Sequence, residues 1–252
     1  PQPARPGGVV RAGTQTAPRE QLGDYYLYPL AERTTIANAQ TKQVSFLDAH
    51  GVPARRGYTF AVAGFDSAAE AQSTDSVIRF SASSNGGLGA ALPAGTVRFY
   101  MRDSNGAPQF IGERAIGHTP MGSELELAVG RAFDVKVQAV RVSRDRLTEN
   151  AWTTSTTATI VRVGQPNVSY TIAQLQQRPY WRTVMRYTFT NARSEPVTVD
   201  LTQNGLDWWY EATRIVSEPE AGVTDQQGRR RWAVIVPANG TRDFDVTYET
   251  RY

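Results

Sequence analysis

The amino-acid sequence predicts an all-β protein, built of two antiparallel β-sandwich units with a Pro-rich N-terminal arm. Three observations lead to this fold class. Apolar and polar residues alternate with a period of two from Gly23 onward, Asn-Gly pairs punctuate the alternation, and helical periodicity is nearly absent. Successive side chains of a strand point to opposite faces, so this pattern is typical of strands with one buried face and one wet face.

The chain divides into three expected segments. Residues 1–21 form a Pro/Gly-rich arm or linker, because Pro1–Arg19 holds four of the 14 prolines and no aromatic residue and therefore has little surface to bury. The first β unit spans 22–150 and the second spans 151–252. The Thr/Ser-rich stretch Thr148–Thr159 is interpreted as the seam between them, and a single continuous sandwich is the alternative.

Three alternating stretches predict strands in the first unit. The side chains expected to face inward are Val97, Phe99, Met101, Leu125, Leu127, Val129, Phe133, Val135 and Val137. After Val137 the alternation slips by one position at Ala139 and Val140, and such a slip indicates a β-bulge.

The second unit alternates more regularly and is expected to be immunoglobulin-like. A short chain with several alternating strands closes most easily as two facing sheets. Its expected inward positions are Met185, Tyr187, Phe189, Val197, Val199, Leu201, Trp232, Val234, Val236, Phe244, Val246 and Tyr248. Asn-Gly pairs at 105–106, 204–205 and 239–240 predict tight hairpins. Asp66–Ser73 and Thr171–Gln177 could each form a helical turn or two.

Composition excludes several classes of function. The chain has 252 residues, 27 Lys and Arg, 24 Asp and Glu, and a net charge of +3. The basic residues are scattered, so we expect no nucleic-acid partner. The absence of cysteine excludes disulfides, thiolate nucleophiles and Cys-ligated zinc. We expect no membrane span, because no apolar run approaches about 20 residues, and no cofactor.

Five stretches carry a family resemblance. They are Gly23–Pro53, Pro93–Tyr100, Ile111–Val135, Tyr187–Val199 and Val236–Tyr248, and the central one, with His-Thr-Pro and Ala-Phe-Asp-Val, is the most specific. From about Leu22 onward the chain resembles the bacterial domain of unknown function 4139, the C-terminal domain of mucoidy-inhibitor-A-like proteins. The resemblance implies a β-rich module of bacterial cell-envelope proteins, in the periplasm or at the cell surface, without an established activity or a catalytic motif.

Two clusters are candidate binding residues. Trp208, Trp209 and Tyr210 are consecutive, so on a strand at least one large ring faces outward, where it could hold a sugar ring or a partner protein. Arg229, Arg230 and Arg231 could meet anionic lipid, acidic polysaccharide or an acidic partner. The alternatives are purely structural. The Trp side chains would pack in the core or under a loop, and the three arginines would form a solvated hairpin tip.

Neither histidine predicts a metal site or a catalytic centre. His50 and His118 are far apart in sequence and lack the short spacing of metal ligands. A general base at His118, oriented by Glu113 or Asp134, is conceivable, but the Gly117 and Pro120 around it favour a hydrogen-bonded loop. We therefore expect no catalytic residue and no enzyme.

The sequence supports three hypotheses about function. The first is a non-catalytic structural or protein-interaction module of the bacterial cell envelope, which binds a partner or a second copy of itself through strand edges and surface aromatics. The alternatives are a glycan-binding module that uses the Trp208–Tyr210 face, and a hydrolase centred on His118.

Overall fold

The computed structural model describes residues 20–22, 25–27, 34–43, 45, 47–147, 152–161, 164–176, 180–206 and 212–251. All of their regular structure is β-strand, which confirms the all-β fold class. The strands are β1 (Glu20–Leu22), β2 (Tyr25–Leu27), β3 (Ala54–Ala63), β4 (Gln72–Ser81), β5 (Gly95–Arg102), β6 (Pro108–Ile116), β7 (Glu124–Leu147), β8 (Trp152–Ile160), β9 (Val168–Gln176), β10 (Tyr180–Asn191), β11 (Val197–Asn204), β12 (Ala212–Ser217), β13 (Val223–Thr224), β14 (Arg230–Val236) and β15 (Gly240–Arg251).

One large mixed sheet contains nine of these strands, in the order β12-β15-β10-β7-β4-β3-β11-β14-β13. Its pairs are antiparallel except for β3 and β11, which run parallel. Three separate two-stranded ribbons accompany it in the described part of the chain: β1-β2, β5-β6 and β8-β9.

The large sheet draws strands from both predicted units. Strands β3, β4 and β7 come from segment 22–150, and β10 to β15 come from segment 151–252. The long strand β7 joins them, because it pairs with β4 over Glu124–Val137 and with β10 over Val135–Leu147. Strands of the two expected units thus share one sheet. The division into two sandwich units, its alternative of a single continuous sandwich, and the immunoglobulin-like description stay predictions.

A single main core lies between the two ends of this sheet. The ring of Trp232 on β14 lies 6.5 Å from Tyr187 on β10 and 5.8 Å from Phe244 on β15. These strands are far apart in the sheet order, so the sheet curves until its two ends face each other. The inward positions predicted for the second unit are all buried, most of them completely.

The ribbon β5-β6 packs over a second, smaller cluster. Val97, Phe99 and Ile116 of this ribbon pack against Leu125 and Leu127 of β7. Gly112 of β6 makes this crossing possible, since a Cβ at that position would lie only 2.2 Å from the carbonyl oxygen of Val129. A side chain there would force β6 away from β7.

Several local predictions need correction. Phe133 is expected to face inward but is 88% exposed, because the β4–β7 register shifts between Arg131 and Lys136 and breaks the alternation. Met101, also expected to face inward, is 42% exposed, because the β5–β6 register shifts between Phe99 and Tyr100. The predicted bulge exists, with its register shift between Arg141 and Ser143, slightly beyond Ala139 and Val140.

The turn and helix predictions also need correction. Asn105-Gly106 does join a paired hairpin, β5-β6, but Asn204-Gly205 and Asn239-Gly240 each follow or precede strands that are not paired with each other. Residues Thr171–Gln176 belong to β9 instead of a helical turn, and Asp66–Ser73 ends in β4. In Thr171–Gln176 strand pairing overrides a weak local helical tendency, whereas residues 66–71 form a loop that leads into β4.

Candidate interaction cleft

The structure places the predicted arginine cluster in a loop and strand where two of its three members are already paired. Arg229 donates through Nε to Asp225 Oδ2 at 2.7 Å and through Nη2 to Gln227 Oε1. Arg230 bonds to the carboxylate of Glu218 and to Thr224. Only Arg231 is exposed. The cluster therefore mainly forms ion pairs and hydrogen bonds within the chain. Of the cationic patch considered from the sequence, only the side chain of Arg231 is exposed.

The carboxylate of Glu218 is the acceptor for several of these hydrogen bonds. Its carboxylate accepts hydrogen bonds from Arg230, from Trp232 Nε1 at 2.8 Å and from the backbone N–H of Gly222. Although burial opposes ionisation, these donors hold the pKa of Glu218 below its ordinary value. The charged residue thereby anchors the loop after β12 to β14.

The predicted aromatic platform cannot be placed. Trp208, Trp209 and Tyr210 lie outside the described residues. A different exposed aromatic pair occurs on the β5-β6 ribbon, where Tyr100 and Phe110 stack edge to face with ring centroids 5.7 Å apart. Their side chains are 59% and 55% exposed. The alternation at Arg98, Tyr100 and Arg102 correctly predicted that Tyr100 faces outward.

His118 occupies the exposed loop position that its flanking residues predicted. Its Nδ1 accepts a hydrogen bond from the backbone N–H of Ala94 at 3.4 Å, and Thr119 bonds to the carbonyl of Gly117. The carboxylate of Glu113 accepts instead from Arg98 Nε at 3.0 Å. Among the described side chains, no group of three or more His, Asp and Glu residues is arranged to hold a metal ion.

A cleft of about 230 Å³ opens where the β5-β6 ribbon crosses the large sheet. We call it the Phe133 cleft. Its walls come from β3, β4, the ribbon, β7 and the loop after β10, and its lining residues are Arg56, Tyr58, Ser76, Met101, Ile111, Val129, Gly130, Arg131, Ala132, Phe133, Asp134, Val135 and Arg193. The exposed ring of Phe133 stands at an irregular stretch of β7, and this accounts for its failure to follow the alternation.

Three guanidinium groups and one carboxylate line the Phe133 cleft. Arg131 pairs with Asp75 at 3.3 Å, and Arg193 pairs with Glu195 at 2.7 Å. Arg56 differs, because within the described chain its Nη2 makes a long hydrogen bond, 3.7 Å, to the sulfur of Met101 and no ion pair. The cleft therefore has a mixed lining of apolar and charged side chains, Asp134 among them, and its Arg56 has no carboxylate partner among the described residues.

Sequence reasoning missed this cleft for a physical reason. Met101, Phe133 and Arg56 belong to three strands that are far apart in the chain. The sheet order β7-β4-β3 brings Phe133 near Arg56, and the crossing of the ribbon at Gly112 adds Met101. The one available signal is the Ala-Phe-Asp-Val run at 132–135, which belongs to the most specific stretch of the family resemblance and whose alternation predicts a buried strand.

Comparisons with family models, with curated proteins and with solved structures found no match for this chain. The structure thus defines an all-β protein with a cleft beside an exposed phenylalanine. In the described part of the chain no helix is long and apolar enough to cross a membrane.

Proposed function

We propose that the chain is a non-catalytic protein-interaction module of the bacterial cell envelope, and that the Phe133 cleft is its contact site. The observation that carries the proposal is the 88% exposure of Phe133 at the rim of a cleft with Met101 and Arg56 in its walls. Phe, Met and Arg are enriched at protein interfaces. Phe133 and Met101 are both exposed and line the same cleft, and an exposed apolar patch rimmed by polar residues is typical of an interaction site.

The cleft favours a partner segment with an apolar side chain next to a carboxylate. The apolar lining of Met101, Ile111 and Val129 offers a place for the apolar group, and Arg56 offers a guanidinium for the acid. Arg56 is exposed, so the carboxylate of a partner can reach its guanidinium, and such a charge-assisted pair is stronger than a hydrogen bond between neutral groups.

A display selection tests this proposal. A random peptide library is selected on the immobilised protein, and in parallel on Arg56→Glu and Phe133→Ser variants. We expect the wild type to enrich peptides with an aromatic or aliphatic residue beside Asp or Glu, and both variants to lose that enrichment. The control is Arg231→Glu, an exposed charge reversal away from the cleft. No enrichment on the wild type, or equal loss with Arg231→Glu, would contradict the proposal.

The envelope location rests on the resemblance to the bacterial domain described above. Fractionation of native cells with an antibody against the chain tests it. We expect the protein in the periplasmic or cell-surface fraction, and its recovery with the cytoplasm would refute this part of the proposal.

Glycan binding remains a second candidate because of the exposed Tyr100–Phe110 pair. Aromatic faces are suitable platforms for sugar rings. Retention on immobilised polysaccharide that is lost in a Tyr100→Ala variant, but kept in Arg56→Glu, would favour this candidate over peptide binding.

A further inference from the structure

The ribbon β8-β9 stands apart from the rest of the described chain. Its two nine-residue strands pair in one continuous register, from Trp152 opposite Gln176 to Ile160 opposite Val168. No third described strand joins them. Each strand therefore has one edge whose backbone N–H and C=O groups take part in no described ladder. An isolated two-stranded ribbon is only marginally stable in water.

This ribbon carries none of the usual protection of a free edge. Its 18 residues include no Asp, Glu, Lys, Arg or Pro, and its register contains no bulge. Every other described strand of six or more residues has at least one charged side chain. Soluble proteins protect exposed strand edges with charges, prolines, bulges or short length, because an unprotected edge pairs with other strands.

The two faces of the ribbon are also distinct. One face carries hydroxyl pairs, with Thr157 and Thr171 3.4 Å apart and Thr159 and Ser169 3.1 Å apart. The other carries Ile160, Val168 and Tyr170, which are 45%, 43% and 53% exposed. Pairing at an edge would extend both faces, the hydroxyl face and the apolar face, onto a second ribbon.

We propose that the β8 edge pairs antiparallel with the β8 edge of a second copy of this chain, which gives a four-stranded sheet across a two-fold axis. The uncharged composition argues for a second copy. A charged partner strand would place a charge against the apolar face without a counter-charge, whereas β8 of another copy brings none. The edge is that of β8 because its Thr-rich sequence suits a pleated, half-exposed surface. This inference does not depend on the Phe133 cleft.

The first test measures association. Sedimentation of the intact protein should show a dimer whose fraction rises with concentration, since one strand pair is a small interface. A Thr157→Lys, Thr159→Lys double variant should be monomeric, as should the matching Glu double variant. An equimolar mixture of the two should recover the dimer, because opposite charges then face each other. A merely structural role for these threonines would not give that recovery.

The second test uses the absence of cysteine in the natural chain. Single-cysteine variants along β8, such as Thr157→Cys, should form disulfide-linked dimers at the position nearest the two-fold axis. Thr198→Cys, exposed on the central strand β11, is the matched control and should not. A wild type that stays monomeric at every concentration would overturn the proposal. So would a Lys variant that dimerises like the wild type, or cross-linking of the control to the same extent.

Discussion

The carboxylate of Glu249 is the most enclosed charge among the described residues, with a side chain only 1% exposed. Arg182 donates to Oε1 through Nε and Nη2, at 3.0 and 2.6 Å, and Arg214 donates to Oε2 at 2.5 Å. Because Arg182 belongs to β10, Glu249 to β15 and Arg214 to β12, this one carboxylate ties three neighbouring strands together. It fixes the edge strand β12 to the sheet.

The variant Glu249→Gln should lower the free energy of unfolding by about 2–3 kcal/mol, since it removes charge-assisted hydrogen bonds to two guanidinium groups. Urea unfolding followed by circular dichroism measures the change. Glu220→Gln is the control, because Glu220 is 45% exposed in its pair with Arg242 and such a surface pair contributes about 0.2–1 kcal/mol. Equal effects of the two substitutions would contradict this account of Glu249.

A buried hydroxyl network provides a second prediction at this scale. The hydroxyl of Tyr187 donates to Gln203 Oε1 at 2.6 Å and lies 3.1 Å from the hydroxyl of Tyr248. Gln203 in turn donates to the carbonyl of Gly64 at 2.6 Å. Burial raises the pKa values of both tyrosines, which keeps the network neutral.

Tyr187→Phe should destabilise the protein by about 2 kcal/mol and Tyr248→Phe by about 1 kcal/mol. The first substitution leaves both Gln203 Oε1 and the Tyr248 hydroxyl without their partner, while the second removes only one bond to Tyr187. Thermal and urea unfolding of the two single variants and the double variant measure the difference. A larger loss for Tyr248→Phe would show that the hydrogen bonds run in another direction.

Gly112 decides how the β5-β6 ribbon lies on the sheet, and hence whether the Phe133 cleft exists. Gly112→Ala should detach the ribbon from β7 and cost about 1–3 kcal/mol, as overpacking does. Hydrogen exchange should speed up in β5 and β6 while the main core stays protected. Gly95→Ala is the matched control, since nothing lies within 4 Å of a Cβ at that position of the same ribbon. Identical exchange in the two variants would contradict the crossing contact.

Much of each strand could be predicted from the sequence, because alternation reports directly which face is buried. Met185, Tyr187 and Phe189 are completely buried, as predicted. The connections between strands could not be predicted in the same way. Asn239-Gly240 follows β14, yet it leads into β15 on the opposite end of the sheet, because an Asn-Gly pair specifies a turn and not the strand that the chain pairs with afterwards.

The cleft could not be predicted, because alternation assigns a side to each residue only while the register is regular. The register between β4 and β7 shifts near Phe133, so the alternation no longer predicts which face its side chain occupies, and the ring is exposed to solvent. Arg56 was not singled out, since a lone arginine on a strand is normally solvated. Its position beside Met101 depends on the ribbon, a contact between strands 45 residues apart.

At the scale of the whole molecule, one core unites residues on both sides of position 150. Val135 and Val137 of β7 pack with Phe244 and Val246 of β15 in the same cluster. Segments 22–150 and 151–252 should therefore fail to fold when produced separately, and should give cooperative unfolding only when mixed or expressed together. Circular dichroism and one-dimensional NMR test this. Cooperative unfolding of either segment alone would favour the division into two units and contradict this prediction.

The whole molecule should also lose stability in acid. Hydrogen bonds from Arg186 lower the pKa of Asp245, and those from Arg182 and Arg214 lower that of Glu249 although burial opposes them. A carboxylate whose pKa is lowered in the folded state stabilises the protein at pH values above the pKa that it has in the unfolded chain, which is 3.8 for Asp and 4.5 for Glu. That stability is lost as the pH falls through the folded-state pKa.

The midpoints of urea unfolding, measured at about pH 7, 4.5 and 3, should decrease in that order. Asp245→Asn should show a shallower decline than the wild type, because one of the titrating groups is gone. A midpoint that does not change with pH would contradict the assigned ion pairs.

We propose that Arg56 and Phe133 together receive an acidic, apolar segment of a partner protein. The most direct measurement is fluorescence anisotropy with one selected peptide and its Lys-substituted counterpart, against the wild type and Arg56→Glu. The wild type should prefer the acidic peptide, and Arg56→Glu should reverse this preference. An unchanged preference in Arg56→Glu would rule out this role of Arg56.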